Sequence, residues 1–398
     1  MLLKSRLLCT AALGLLLLAQ TANASSPEEE TTKTSCIQRA QWVSPKDLSL
    51  LSPTALLKKA AAQKVVLLGE FHPDEVHHRW QLQTLTQLYA HNPNMVLGFE
   101  MFPRWTQPIL DRWVRGELSE KEFLKQTNWD TSWKYDADMY LPLFHFARTN
   151  RLPMIALNVH RDLIRKVAQD GWDVIPDYQR EGIETPRAAH PDYIKSLKEV
   201  FSQHSHMDEE EKESEDRFNN FVQSQLTWDG AMAQMIAKTQ KAGGNPLVVG
   251  IMGSGHLTNG YGVPHQLKGL GLNATVLLPW TLGWDCTELV DGYADAVFGL
   301  EEMEPKGQDK KPILGVRIEA SADKKGVLIE EIVEDSVAEK AGLKKGDLIL
   351  TAADLATNEP TDLIRIIQQQ SHGTWLPLEI QRNGRPLTVV AKFPQLGQ

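Results

Sequence analysis

Four short apolar runs each end in polar residues, and this pattern limits the chain to few folds. Val65-Val66-Leu67-Leu68 leads into Gly69-Glu70-Phe71-His72, and Met95-Val96-Leu97-Gly98-Phe99 leads into Glu100. Pro153-Met154-Ile155-Ala156-Leu157 leads into Asn158-Val159-His160-Arg161, and Leu247 to Met252 leads into Gly253-Ser254-Gly255-His256. Helical patterns lie between them, at Glu75 to Ala90 and Arg161 to Gln169. Strand, helix, strand in succession implies a parallel sheet with right-handed crossovers. Parallel neighbours bring their carboxyl ends to one edge, where open α/β folds bind ligands. The expected fold is therefore α/β, a mostly parallel sheet flanked by helices. Pro103 to Asn150 breaks the rhythm with helix formers and Trp105, Trp113, Trp129 and Trp133, followed by Tyr135 and Tyr140. It reads as a helical insertion, a lid over that edge.

The chain ends set the compartment. Lys4 and Arg6, an uncharged Leu-rich stretch to Ala19, and Ala22-Asn23-Ala24 read as a signal peptide over residues 1–24. That stretch falls short of the roughly 20 residues needed to span a bilayer, and no later segment qualifies. The expected product is exported and periplasmic, with outer-membrane association and a homodimer left open. The formal charge of −9 grows more negative without Lys4 and Arg6, which argues against nucleic acid as a partner. With Cys9 removed, Cys36 and Cys286 remain as an even pair in an oxidising compartment, so a disulfide between them is expected. Residues 25–35 read as a disordered leader, 36–299 as the α/β domain, 300–311 as a charged linker and 312–395 as a second domain.

Glu70 and His72 are two apart and share one face of an extended segment. With Glu100 and His256 they form a nitrogen and oxygen set that zinc, manganese or iron accepts. This supports a metal-dependent hydrolase, with Glu70 or Glu100 as general base and His72 and His256 as ligands. His78 and Gln81 share a face of the first crossover helix. Gly253-Ser254-Gly255-His256 lacks the lysine of a phosphate loop, and Ser254 lacks the nucleophile-elbow spacing. The acidic run from His204 to Asp216 reads as a solvated face. The methionines Met95, Met101, Met154, Met232, Met235 and Met252 read as core packing.

These residues together resemble the ChaN-type haem-binding proteins of the Tiki-like superfamily. The match runs through Gly69-Glu70-x-His72, His78-x-x-Gln81, Phe99-Glu100-Met101-Phe102 and Ala156-Leu157-Asn158 with Arg161. It continues through Gln225-x-x-Trp228-Asp229 with Met232-Ala233, and Gly253-x-Gly255-His256 leading to Gly260-Tyr261-Gly262-Val263-Pro264. The resemblance implies a haem-binding α/β core serving iron uptake, a tyrosine as iron ligand, and more distant relatives that are metal-dependent peptidases and esterases. Tyr140 and Tyr261 are the two tyrosine candidates. Haem also needs an apolar slot, which the lid with Trp133 could form, and cations for its propionates, for which Arg161 and Arg104 are candidates. No Cys-x-x-Cys-His is present, so attachment would be non-covalent. Family members are often lipid-anchored, and this chain has no cysteine at the cleavage site.

From Lys311 to Pro394 the chain resembles a PDZ domain of the kind found in secreted bacterial proteases. Ile313-Leu314-Gly315-Val316, Gly326-Val327-Leu328-Ile329 and Ser336-x-Ala338-x-x-Ala341-Gly342-Leu343-x-x-Gly346-Asp347 carry the likeness. It implies a small β-rich fold in which Leu314, Gly315 and Val316 receive a peptide carboxylate and the next strand pairs with the peptide. Thr361 to Gln370 is the expected groove helix. Ala353-Asp354-Leu355-Ala356 departs from the family's glycine turn. The expected function is a haem or iron-binding envelope protein recruited to a protein C-terminus. A metal-dependent hydrolase and a PDZ-based adaptor are the alternatives.

Overall fold

The computed structural model describes residues 36–204, 215–302, 312–322 and 325–395. The expected signal peptide, the leader, positions 303–311 of the linker and most of the acidic run lie outside the described residues. The chain divides into two compact units, Met1–Glu301 and Glu302–Gln398.

In the first unit the strands are β1 (Trp42–Val43), β2 (Val65–Leu68), β3 (Met95–Pro103), β4 (Met154–Asn158), β5 (Leu247–Ile251), β6 (Thr275–Thr281) and β7 (Ala296–Leu300). They form one seven-stranded sheet in the order β1-β7-β6-β2-β5-β3-β4. All neighbours are parallel except β1 and β7. The four apolar runs are β2, β5, β3 and β4, side by side as expected. Both faces of the sheet are covered, so β2 and β3 are buried throughout and show no polar alternation. The sequence patterns did not reveal β6, whose Pro279 argues against a central strand. The pairing of β6 with β2 stops at Leu277, and Pro279 lies past the last bond on that side.

The helices are α1 (Pro53–Ala61), α2 (Glu75–His91), α3 (Gln107–Arg115), α4 (Glu120–Gln126), α5 (Trp129–Ser132), α6 (Ala137–Thr149), α7 (Arg161–Asp170), α8 (Pro191–His204), α9 (Glu215–Lys241) and α10 (Val263–Gly269). Asp74 caps α2 by accepting from the Val76 and His77 amides, which fixes the chain just past β2. The insertion between β3 and β4 is helical, α3 to α6. Its Trp113, Trp129 and Trp133 are buried among Phe99, Phe102, Phe123 and Phe144, and Trp105 alone of the four is exposed. The expected tryptophan-walled slot is thus a packed core, because a large indole surface gains most from complete burial. Cys36 and Cys286 form the expected disulfide.

The second unit is an antiparallel sheet of β8 (Val316–Ala320), β9 (Val327–Ile332), β10 (Leu348–Ala352), β12 (Trp375–Arg382) and β13 (Arg385–Lys392), in the order β13-β12-β10-β9-β8, with the short β11 (Leu355–Ala356) on β10. Its helices are α11 (Val337–Lys340) and α12 (Pro360–Gln368). β8 is an edge strand, the arrangement that accepts an added strand. Gly315 has φ +80, and a Cβ there would lie 2.3 Å from the Ser336 Cβ, so the loop before β8 requires glycine. The Leu314 side chain is buried in the core, which leaves main chain to face any ligand. Where a glycine turn was expected, Ala353 and Asp354 take up left-handed φ values of 49° and 60°.

Candidate functional site

Sheet register assembles the site. Ile251 of β5 is level with Leu68 of β2 and Phe99 of β3, so the chains that follow leave the sheet together. The Ser254 amide donates to the Glu70 carbonyl (2.8 Å), and the Gly253 amide donates to Glu100 Oε2 (2.7 Å). Asn158, ending β4, donates from Nδ2 to the Glu100 carbonyl (2.9 Å). A Cβ on Gly253 would stand 3.0 Å from His72 Cε1, so the backbone passes close under that ring because no side chain intervenes.

Two carboxylate and histidine groups result. In the first, His72 Nδ1 lies 2.8 Å from Glu70 Oε1, and the Tyr140 hydroxyl is shared between that oxygen (3.1 Å) and the His72 carbonyl (3.2 Å). His78 Nε2 donates to the same carbonyl (3.0 Å), while its Nδ1 faces Glu70 Oε2 and Gln81 Oε1 at 3.2 Å each. All its neighbours are acceptors, because the Gln81 amide nitrogen donates to the Leu68 and Gly69 carbonyls. His78 is therefore held as an imidazolium. In the second group, His256 Nδ1 lies 2.6 Å from Asp229 Oδ1 and its Nε2 lies 3.5 Å from Glu100 Oε1. Asp229 Oδ2 accepts from the Tyr193 hydroxyl (2.9 Å).

Pairing overcomes burial throughout. Burial alone would raise the Glu70 carboxyl, but hydrogen bonds from His72 and His78 hold it at about 2. Burial would also raise Glu100, which the His256 charge keeps below the usual carboxylate range. His72 and His78 are raised despite burial by their bonds to Glu70. Burial opposes charge on His256 as well, yet Glu100 and Asp229 lift it to about 10. His77 behaves oppositely. Burial lowers it to about 4, and its Nδ1 accepts from the Phe71 amide (2.9 Å), so the ring is neutral. Carboxylates and histidines thus alternate at the sheet edge, with His72 the most exposed of His72, His78 and His256.

Glu70, His72, Glu100 and His256 converge as the sequence reading requires. They fall into two pairs, however, Glu70 bonded to His72 and Glu100 facing His256, and among the described residues no group of three or more His, Cys, Asp or Glu side chains is arranged to hold a metal ion. Trp133 packs its ring edge-on against His72 (4.7 Å) and is buried. Tyr140 is fully buried, and burial with the Glu70 charge pushes its hydroxyl far above the ordinary phenol value, so it stays protonated. Arg104 is committed elsewhere, donating to the Glu181 and Ala231 carbonyls. Arg161 opens α7 and is exposed. Tyr261 lies on the His256 side, half-buried, its ring stacked on His190 (5.2 Å, 8°) and 6.1 Å from the Tyr193 ring. Gly262 ties this loop to the edge, since a Cβ there would lie 2.4 Å from the His256 carbonyl oxygen.

Sequence reasoning gave no role to Asp229 or Tyr193. An acid and a phenol on helices carry no marker of depth, although Asp229 lies in the Gln225-x-x-Trp228-Asp229 run. Exposed Phe71 was also passed over.

The family model for haem-binding uptake proteins of the Tiki superfamily, ChaN, matches residues 56–267, and a PDZ domain model matches residues 312–393. Among solved structures, ChaN of Campylobacter jejuni, described with cofacial haem binding, aligns over 65% of this chain and 95% of its own, with 18% identity and a TM-score of 0.51. The HtrA3 PDZ domain bound to a phage-derived ligand aligns over 21% of this chain and 84% of its own (19% identity, TM-score 0.19). The HtrA-type protease AlgW with a decapeptide aligns over 21% of this chain and 28% of its own (22% identity, TM-score 0.20). No curated protein matches. With its family domain spanning more than half of its length and a PDZ domain after it, the chain belongs to the ChaN haem-binding uptake family of the Tiki superfamily.

Proposed function

We propose that the α/β unit binds haem non-covalently through Tyr261, and that the PDZ unit attaches it to a protein C-terminus in the periplasm, in the service of iron uptake or handling. The observation that carries this reading is the setting of Tyr261. Its half-buried ring sits at the rim, and Lys195 is close enough for the two groups to interact electrostatically. Arg187, His190 and Lys268 lie near enough to His265 for their charges, after burial, to lower its pKa. Asp192 pairs with Lys195 and His190, and the cations that remain, Arg187 and Lys268, suit two propionates, as a phenol suits ferric iron. Bound haem supplies a redox-active iron; the chain's own residues hold and orient it. Burial and its bond to Glu70 weigh against Tyr140 as the ligand. The disulfide supports an oxidising compartment.

Titration of the purified protein with haemin, followed in the visible spectrum, tests this. A saturable Soret shift is expected, lost in Tyr261→Phe and kept in Tyr140→Phe. A full shift in Tyr261→Phe sinks the assignment.

One feature favours a second reading. His72 and His256 are each backed by a carboxylate, the arrangement of an acid–base pair in hydrolysis. Ester or peptide turnover lost in His72→Ala, with no Soret shift in the parent protein, would support it over haem binding.

A further inference from the structure

The segment after Gly182 is attached in an unusual way. Among the described residues, the main chain from Glu184 to Ala189 makes its hydrogen bonds to side chains. The Gln234 amide on α9 receives the Glu184 N–H and donates to the Glu184 carbonyl, both at 3.0 Å. The Gln266 amide on α10 does the same for Arg187, both at 2.8 Å. His265 Nε2 donates to the Ala188 carbonyl (2.8 Å). Between these clamps Pro186 lies over Gly230, where a Cβ would meet the proline ring at 3.2 Å.

Packing beside the segment is incomplete. One cavity of about 340 Å³ is lined by Thr185, Gly230 and Gly269 among others, and a second of about 340 Å³ by Gly182, Arg104 and Lys238. Before it, Glu181 accepts from Arg104 and the His160 amide and Ile183 is buried in the core, so the chain is anchored up to Ile183 and the segment after it has the freedom to move. After it, His190 is stacked on Tyr261. Mostly exposed residues, side-chain bonds in place of a ladder and open space on two sides mark a segment that opens locally.

We propose that Glu184–His190 is a displaceable strap covering Tyr261, and that haem reaches the tyrosine when the strap lifts away beyond the anchored Ile183. This rests on the haem reading above, and the strap residue Arg187 then becomes available to a propionate. Opening governs the rate of entry and so appears in the association kinetics.

The test is stopped-flow mixing with haemin in three forms of the full chain. Pro186→Cys with Gly230→Cys places two sulfurs where a strap-locking disulfide can form. The locked form should bind at least tenfold more slowly than the parent, and reductant should restore its rate while leaving the reduced parent's rate unchanged. Gln234→Ala with Gln266→Ala should bind about tenfold faster. Equal rates in all three forms overturn the strap. Amide hydrogen exchange at Glu184 and Arg187 reads opening without haem: faster exchange in the double glutamine variant at unchanged global stability supports it, and unchanged exchange refutes it. A parent protein that shows no Soret shift sinks the haem reading alone.

Discussion

At the scale of single residues, the sheet edge is held by donors and acceptors that have few alternatives. Tyr140 shows this best, since its hydroxyl satisfies a buried Glu70 oxygen that no water reaches. Tyr140→Phe should cost about 1–3 kcal/mol in urea denaturation, the penalty of a buried acceptor losing a partner. The site also fixes a pH optimum. Glu70 titrates at about 2 in the folded protein, below its ordinary 4.5, so its stabilisation is present above 4.5 and lost as pH falls through 2. His256 titrates at about 10, above its ordinary 6.5, so its stabilisation is present below 6.5 and lost as pH rises through 10. Neutral His77, lowered from 6.5 to about 4, costs stability as pH falls below 6.5, so stability should be greatest near 6.5, with each group's flank falling at up to about 1.4 kcal/mol per pH unit, measured by chemical denaturation across pH. A flat profile refutes the pairing. Glu70, His72, Glu100 and His256 were legible because chemistry-bearing residues follow apolar runs. Their partners Asp229 and Tyr193 were not, because a helix position does not announce which way it faces.

At the scale of elements, strands that are buried on both faces declare themselves and their order does not. The runs forming β2, β3, β4 and β5 were readable as continuous apolar stretches, and α2 and α7 as periodic ones. β6 stayed hidden behind Pro279. The lid was legible as helix, but its tryptophans were read as the wall of a ligand slot, and burial places Trp113, Trp129 and Trp133 in the core. In the PDZ unit the Ala353-Asp354 turn is strained where glycine would be at ease. Ala353→Gly should stabilise that unit by about 0.5–1 kcal/mol against urea, because alanine alone pays the left-handed penalty.

At the scale of the whole molecule, the chain joins a family domain built on a parallel sheet to a PDZ domain built on an antiparallel one. The Cys36–Cys286 bond lies entirely within the first, so reduction should lower the melting transition of that unit and leave the other in place. The loss should be about 2–5 kcal/mol, and a calorimetric scan with and without reductant separates the two. Movement of both transitions together would refute this independence. The bond also has a temporal meaning. Its partners stand 250 residues apart, with every strand of the seven-stranded sheet but β7 made between them. Cys36 must wait for Cys286, so closure of the bond marks a chain whose carboxylate and histidine edge has been synthesised in full.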